Sequence, residues 1–171
     1  MNRKPLLFLV LIAISLFSFA CAQLPQSAQN WQNIELRDIA TDQPFRISDF
    51  NDKVIVIETM VMWCEACVRQ QEEIAKAHAS LGNGVVFITI DIDTNESDSI
   101  IKQHMDRYGF DWIYVLASSE LNYQLQSELG ASMLSPPMSP IAIIDKGQGI
   151  HLLERGHKSA EELIAEISKH L

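Results

Sequence analysis

Cysteine is scarce in this sequence: 171 residues contain only Cys21, Cys64 and Cys67. Cys21 sits in an apolar leader, so a folded domain retains one pair, and a small domain that used disulfides as staples would carry more. A gap of two residues also closes too small a loop to remove much unfolded-state entropy, so the pair is better explained by reactivity than by stability. There is no second C-x-x-C, which leaves a zinc site two ligands short. Glycine (7) and proline (6) are too few for a fibrous or low-complexity chain. Basic residues are outnumbered, 13 against 22, for a net charge of -9. Setting aside residues 1–22, which hold Arg3 and Lys4 but no acid, leaves 11 basic against 22 acidic side chains, a balance of -11. Such a surface repels nucleic acid phosphates and anionic membranes. Histidines are scattered as His78, His104, His151, His157 and His170 without metal-ligand spacing, and each is expected at the surface. Asp91, Asp93, Glu96 and Asp98 lack the spacing of an EF-hand loop and read as a solvated strand end. No metal and no organic cofactor is expected.

The amino terminus has the pattern of an export signal: Arg3 and Lys4, an apolar run broken only by Ser15 and Ser18, then small residues. Ala20-Cys21-Ala22 has the form a signal peptidase cuts, whereas Ser18-Phe19-Ala20-Cys21 resembles a lipobox in which Cys21 is lipidated. The run also approaches the ~20 residues of a spanning helix, so an uncut anchor is a third alternative. All three put the domain outside the cytoplasm, in a periplasm or on the outer face of the cell membrane. Residues 1–22 are therefore assigned to the signal or anchor, 23–30 to a polar linker, and 31–171 to one domain.

Short strands are expected over residues 34–37 and 45–47 around a turn at Asp42-Gln43-Pro44, with a helical turn from Ser48 to Phe50. Val54-Ile55-Val56-Ile57 is a β-branched run suited to a strand covered on both faces. The spacing of Ala66, Ile74, Ala77 and Leu81 predicts a helix from Glu65 that stops at Gly82. A strand follows at residues 85–90. Asn95 is placed as the cap of a helix with Ile100, Ile101, Met105 and Tyr108 on its inner face. A strand at 112–116, a helix at 120–129 and a long proline-rich connection at 130–140 come next. Residues 141–144 and 150–153 form an antiparallel pair, and Ser159 with Glu162 makes a capping box for the last helix. Alternating strands and helices with a terminal hairpin define a three-layer α/β class with a central mixed sheet.

Trp63-Cys64-Glu65-Ala66-Cys67 follows a buried strand and opens a helix, a context that makes a C-x-x-C match specific. Free N–H groups and the dipole at a helix start stabilise a thiolate, which makes Cys64 the nucleophile. Cys67, one turn later, is placed to attack a mixed disulfide on Cys64 and release the partner.

With these residues the chain resembles the TlpA/ResA-like branch of the thioredoxin superfamily. The matching stretches are Ile47-Ser48-Asp49-Phe50, Lys53-Val54-Ile55-Val56-Ile57, the Trp-Cys-x-x-Cys run, and Pro140-Ile141-Ala142-Ile143-Ile144-Asp145. The resemblance implies a thioredoxin fold with an N-terminal β extension and a helical insertion, and a thiol:disulfide oxidoreductase acting on exported proteins. It further implies a cis-proline before the late strand, matched by Pro140 with Pro137 as the alternative, which packs on the dithiol. Substrate backbone would pair beside it, so Trp63, Ser139 and Pro140 are candidate substrate-binding residues. Apocytochrome c is one substrate the resemblance suggests, with re-reduction by a membrane electron donor of the thiol-reducing type.

Glu58, six residues before Cys64, ends the apolar strand where thioredoxins keep a buried acid. Burial would raise its pKa into a range useful for taking the Cys67 proton. A solvent-facing Glu58 is the alternative. Met60, Met62, Ala66 and Ile74 depart from the family's usual residues, which bears on substrate choice and potential. Two competing functions remain. A Cu(I) carrier of the Sco kind would use the dithiol with Met60, Met62, Met133 and Met138, but that family spaces its cysteines C-x-x-x-C. A thiol peroxidase of the peroxiredoxin type needs Thr three residues before its cysteine, where this chain has Val61.

Overall fold

The computed structural model describes residues 30–171. The leader, Cys21 and its alternative fates lie outside the described residues. No helix among the described residues is long and apolar enough to cross a membrane.

Strands β1 (Leu36–Arg37) and β2 (Pro44–Phe45) form a separate antiparallel hairpin ahead of the main sheet. The main sheet is built from β3 (Val54–Met60), β4 (Val85–Asp91), β5 (Ile113–Leu116), β6 (Ile141–Ile144) and β7 (Ile150–Leu152) in the order β5-β4-β3-β6-β7. The first three run parallel, β6 is antiparallel to β3, and β7 is antiparallel to β6. Every residue of β3 is buried, as its unbroken apolar run requires of a central strand flanked on both sides. Helices α1 (Glu65–Leu81), α2 (Asp98–Tyr108) and α4 (Ala160–Ser168) cover one face, placing Ile74, Ala77, Ile101, Met105, Leu163 and Ile167 in one core. Helix α3 (Ser119–Leu129) and the segment around Trp31 and Ile47 cover the other face. The result is a three-layer thioredoxin fold with the hairpin as its N-terminal extension.

The crossovers fix where the site lies. From β3 the chain crosses through α1 to β4 and through α2 to β5, then returns by α3 past β4 and β3 to β6 on the far side. The direction of winding therefore reverses beside β3, and in open α/β sheets the loops at strand ends next to such a reversal are where sites form. Cys64 follows β3 at that end, and Pro140 opens β6 beside it.

Local capping explains most helix limits. Ser159 accepts from the Glu162 N–H while the Glu162 carboxylate accepts from the Ser159 N–H, the expected capping box. Ser118 caps α3 by accepting from Leu121. Helix α2 departs from expectation: it starts after Ser97 rather than at Asn95. Its register also turns Ile100 outward, 45% exposed, while His104 is buried beside Ile101 and Met105. The apolar positions there are too few to fix the face by themselves. The surface placement expected for His104 is thus corrected: its ring packs among Tyr108, Phe110 and Tyr114.

Candidate active site

Cys64 is the N-cap residue of α1 and is disulfide-bonded to Cys67, with Cα atoms 5.3 Å apart. Its Sγ accepts from the Cys67 N–H at 3.2 Å, so a thiolate released at Cys64 would face a helix-terminal donor. Cys67 is the more covered of the two, 1% against 5% exposed, and lies 3.5 Å from the Pro136 carbonyl oxygen. Met60 and Val61 share one buried cluster with the two cysteines. Trp63 stands beside them 72% exposed, a large apolar surface in the open.

The expectation of a cis bond at Pro140 is not met: every peptide bond among the described residues is trans. The chain reverses instead at Ser139, which takes the left-handed conformation (φ 47°, ψ 59°) after a short 3-10 turn over Pro136–Met138. Two hydrogen bonds hold that reversal, from the Ser139 N–H to the Pro136 carbonyl and from the Gly156 N–H to the Met138 carbonyl. Pro140 is still buried at the dithiol end of the sheet, where its carbonyl accepts from the Thr59 N–H. Pro136 also meets the dithiol, through its carbonyl on the Cys67 sulfur, a contact that three prolines within five positions gave no means of choosing.

Glu58 is 2% exposed, so the solvent-facing alternative does not hold. It shares the α1-facing side of β3 with Met60 and pairs in register with Thr89 of β4. Its Oε2 accepts from Gln71 Nε2 at 3.2 Å and from Thr89 Oγ1 at 3.0 Å. Gln71, the residue that holds the carboxyl, lies one helical turn beyond Cys67 on the same buried face of α1. Burial pushes the Glu58 pKa up to about 8, with both hydrogen bonds pulling the other way. Because Oε2 already holds both donors, a proton can sit on Oε1, which has no partner, without disturbing them.

A network behind Glu58 that no sequence pattern marks holds the carboxyl in place. Gln71 donates to Glu58 through Nε2, so its Oε1 accepts from His104 Nε2 at 2.7 Å, which assigns the Nε2–H tautomer to the ring. Thr89 Oγ1 donates to Glu58 and accepts from Trp112 Nε1 at 2.9 Å. Desolvation lowers the His104 pKa and keeps the ring neutral. Gln71→Leu would leave the His104 N–H and half of the Glu58 acceptor unpaired, at an expected cost of about 1–3 kcal/mol in urea melts near pH 6. It should also raise the Glu58 pKa further, since the lost bond lowers it. An unchanged carboxyl titration would contradict this wiring.

Asp91, read from the sequence as solvated, is fully buried on the same side of the sheet, in register with Met60. Its Oδ1 accepts from the Asp93 N–H, and burial raises its pKa to about 7. An acid that ends an apolar strand and begins a run of acids carries no mark that separates it from the surface residues after it.

Comparison with known proteins agrees with this geometry. Residues 26–166 match the profile of the Redoxin family, and the chain belongs to that family. Family, fold and a dithiol at a helix start together define a thioredoxin-like thiol:disulfide oxidoreductase. Among solved structures, a thioredoxin-family thiol:disulfide interchange protein from Chlorobium tepidum is 15% identical, covers 80% of this chain and 92% of its own, and has a TM-score of 0.67. A secreted Mycobacterium tuberculosis disulfide oxidoreductase homologous to E. coli DsbE is 12% identical over 82% of this chain and 98% of its own, with a TM-score of 0.63. A DsbF homologue from Corynebacterium diphtheriae is 18% identical over 81% of this chain and 83% of its own, with a TM-score of 0.65. At these identities the likeness establishes the fold. No curated protein sequence matches the chain significantly.

Proposed function

We propose that the protein works outside the cytoplasm, exchanging disulfides with exported proteins through Cys64 and Cys67 in the reducing direction. The observation that carries the exchange chemistry is the Cys64 sulfur at the N-cap of α1, facing the Cys67 N–H with the exposed Trp63 beside it. Cys64 attacks a substrate disulfide, Cys67 resolves the mixed disulfide, and Glu58 accepts the Cys67 proton. Trp63, 72% exposed, is the surface against which a substrate chain would lie, whereas Ser139, 3% exposed, and Pro140 are buried at the dithiol end of the sheet. The basic, apolar and small-residue order of the leader supports an extracytoplasmic site, by cleavage, lipidation at Cys21 or an uncut anchor. An apocytochrome c-type substrate and a thiol-reducing membrane donor are the partners that the TlpA/ResA resemblance adds.

The reducing direction rests on electrostatics. The helix terminus favours a Cys64 thiolate, but the adjacent Glu65 and the chain's acidic balance oppose it, and a less stabilised thiolate makes a better reductant. Arg69 offsets Glu65 only weakly, through an exposed pair at 3.2 Å. The expected potential lies nearer the value of about -270 mV for thioredoxin than the value of about -120 mV for DsbA. Equilibration with glutathione redox buffers measures it, and a value above about -180 mV would overturn the reductant assignment. Insulin disulfide reduction tests exchange itself, against hydrogen peroxide consumption for a peroxidase and Cu(I) titration for a metal carrier.

A further inference from the structure

Asp145, His151 and His170 have no ligand spacing in the sequence, yet the fold brings one donor atom from each within 4.8 Å of the others. The group sits where β6 ends and the β6–β7 turn begins, at the opposite end of the sheet from the dithiol.

Its parts are held in place. Asp145 Oδ1 accepts from the N–H groups of Gly147 (2.7 Å) and Gly149 (2.9 Å), which orients the carboxylate and aims Oδ2 at His151 Nε2, 2.8 Å away. A Cβ at position 149 would come within 2.7 Å of that Oδ2, so glycine keeps this side of the carboxylate clear. His170 follows the last turn of α4, where its N–H donates to the Ile167 carbonyl. Lys146 Nζ donates to the Leu171 carbonyl at 3.0 Å, tying that turn to the hairpin. The His151 and His170 rings lie with centroids 4.1 Å apart.

The geometry points to a binding site for a zinc-class divalent cation, liganded by Asp145 Oδ2 and one ring nitrogen each of His151 and His170, with solvent completing a tetrahedron. Bonds of about 2.0–2.2 Å place tetrahedral ligands about 3.4 Å apart. The Asp145–His151 pair must therefore open slightly and the widest pair close by at most about 1.4 Å, within reach of side-chain rotation. Two imidazoles and one carboxylate suit zinc rather than calcium or magnesium, which prefer all-oxygen shells. The backbone N–H groups on Asp145 Oδ1 supply the outer-shell support that ligating carboxylates require. Each ring must present an unprotonated nitrogen to the metal, so binding competes with protons. A bound cation would clamp the turn after α4 to the β6–β7 hairpin.

The test uses the full chain in its oxidised form with any free thiol alkylated, so that no cysteine competes for metal, and zinc ion alone as the probe. Calorimetry at pH 7.5 is expected to give one saturable site, and Co2+ to give the absorption of a tetrahedral complex. His170→Ala and His151→Ala should each weaken zinc binding at least about tenfold. Both replacements lie outside the redox site, so exchange activity should be unchanged, and metal-free melts of both variants report folding separately. No one-equivalent site in the wild type, or equal affinity in folded variants, overturns the assignment. Neither result bears on the disulfide-exchange reading.

Discussion

Cys64→Ser is expected to reduce disulfide exchange to background, whereas Cys67→Ser should leave a protein that captures its substrate and cannot let go. The two sulfurs share a bond but not an environment. Cys64 caps α1, where its sulfur faces the Cys67 N–H and the positive end of a 17-residue helix. Cys67 lies inside the first turn against the Pro136 carbonyl, with 1% exposure, where no comparable donor meets it. In the proposed exchange the Cys64 thiolate therefore attacks the substrate disulfide, displacing one substrate thiolate, and Cys67 acts only once the mixed disulfide is held one turn away. Non-reducing electrophoresis of Cys67→Ser with an oxidised protein substrate should show the trapped adduct, and mass spectrometry should place it on Cys64. With wild-type reduced protein and limiting iodoacetamide, Cys64 should be alkylated first. Preferential alkylation of Cys67 would reverse the roles.

Much of this arrangement was legible in the sequence because strong local signals coincide. A β-branched run, a Trp-Cys-x-x-Cys segment and a helical apolar spacing ending at Gly82 leave few alternatives for β3, the dithiol loop and α1, and the Ser159–Glu162 box fixes α4. What stayed hidden depends on packing across elements. His104 is polar on a short helix whose apolar pattern fits two faces, and only the meeting of α1 with α2 shows that Gln71 Oε1 accepts a hydrogen bond from its ring N–H. Asp91 needed the β3–β4 register to be seen as buried. At Pro140 a cis bond was expected, but the bond is trans and the preceding Ser139 is left-handed, held by a turn hydrogen bond to Pro136 and by the Gly156 N–H on the Met138 carbonyl, a contact between distant segments that no local signal encodes. The Asp145–His151–His170 group arises where the β6–β7 hairpin meets the residues after α4, which no spacing rule encodes.

Glu58→Gln is expected to stabilise the oxidised protein at neutral pH while slowing resolution of the mixed disulfide. The folded-state pKa is raised from 4.5 to about 8 by burial. A raised carboxyl leaves stability intact below the unfolded value, and the penalty accumulates as pH climbs from about 4.5. It is complete only above about 8, and at pH 7 it amounts to roughly 3 kcal/mol, on the scale of 1.36 kcal/mol per pKa unit. A glutamine at 58 does not ionise and removes that slope. It loses some hydrogen bonding, since its amide cannot accept from Gln71 and Thr89 as a carboxylate does, a cost of about 1 kcal/mol. The variant should thus be less stable than wild type near pH 4, cross it between pH 5 and 6 on the order-of-magnitude figures above, and exceed it by about 2 kcal/mol at pH 7. Asp91, raised to about 7, and His104, lowered by burial, also tilt the absolute pH profile in opposite directions, so the difference between variant and wild type is the quantity to follow. Glu58→Leu shares the missing slope but leaves Gln71 Nε2 and the Thr89 hydroxyl without an acceptor, so its stability should lie below that of Glu58→Gln at every pH. Both variants lack a group that can take the Cys67 proton as its sulfur attacks, so release of substrate from the mixed disulfide should slow in both, while capture by Cys64 proceeds at the wild-type rate. Urea melts at several pH values and stopped-flow rates of capture and release separate the two effects. Variants that match wild type in stability and in release rate at every pH would remove Glu58 from the mechanism and leave proton acceptance to water or to the substrate itself.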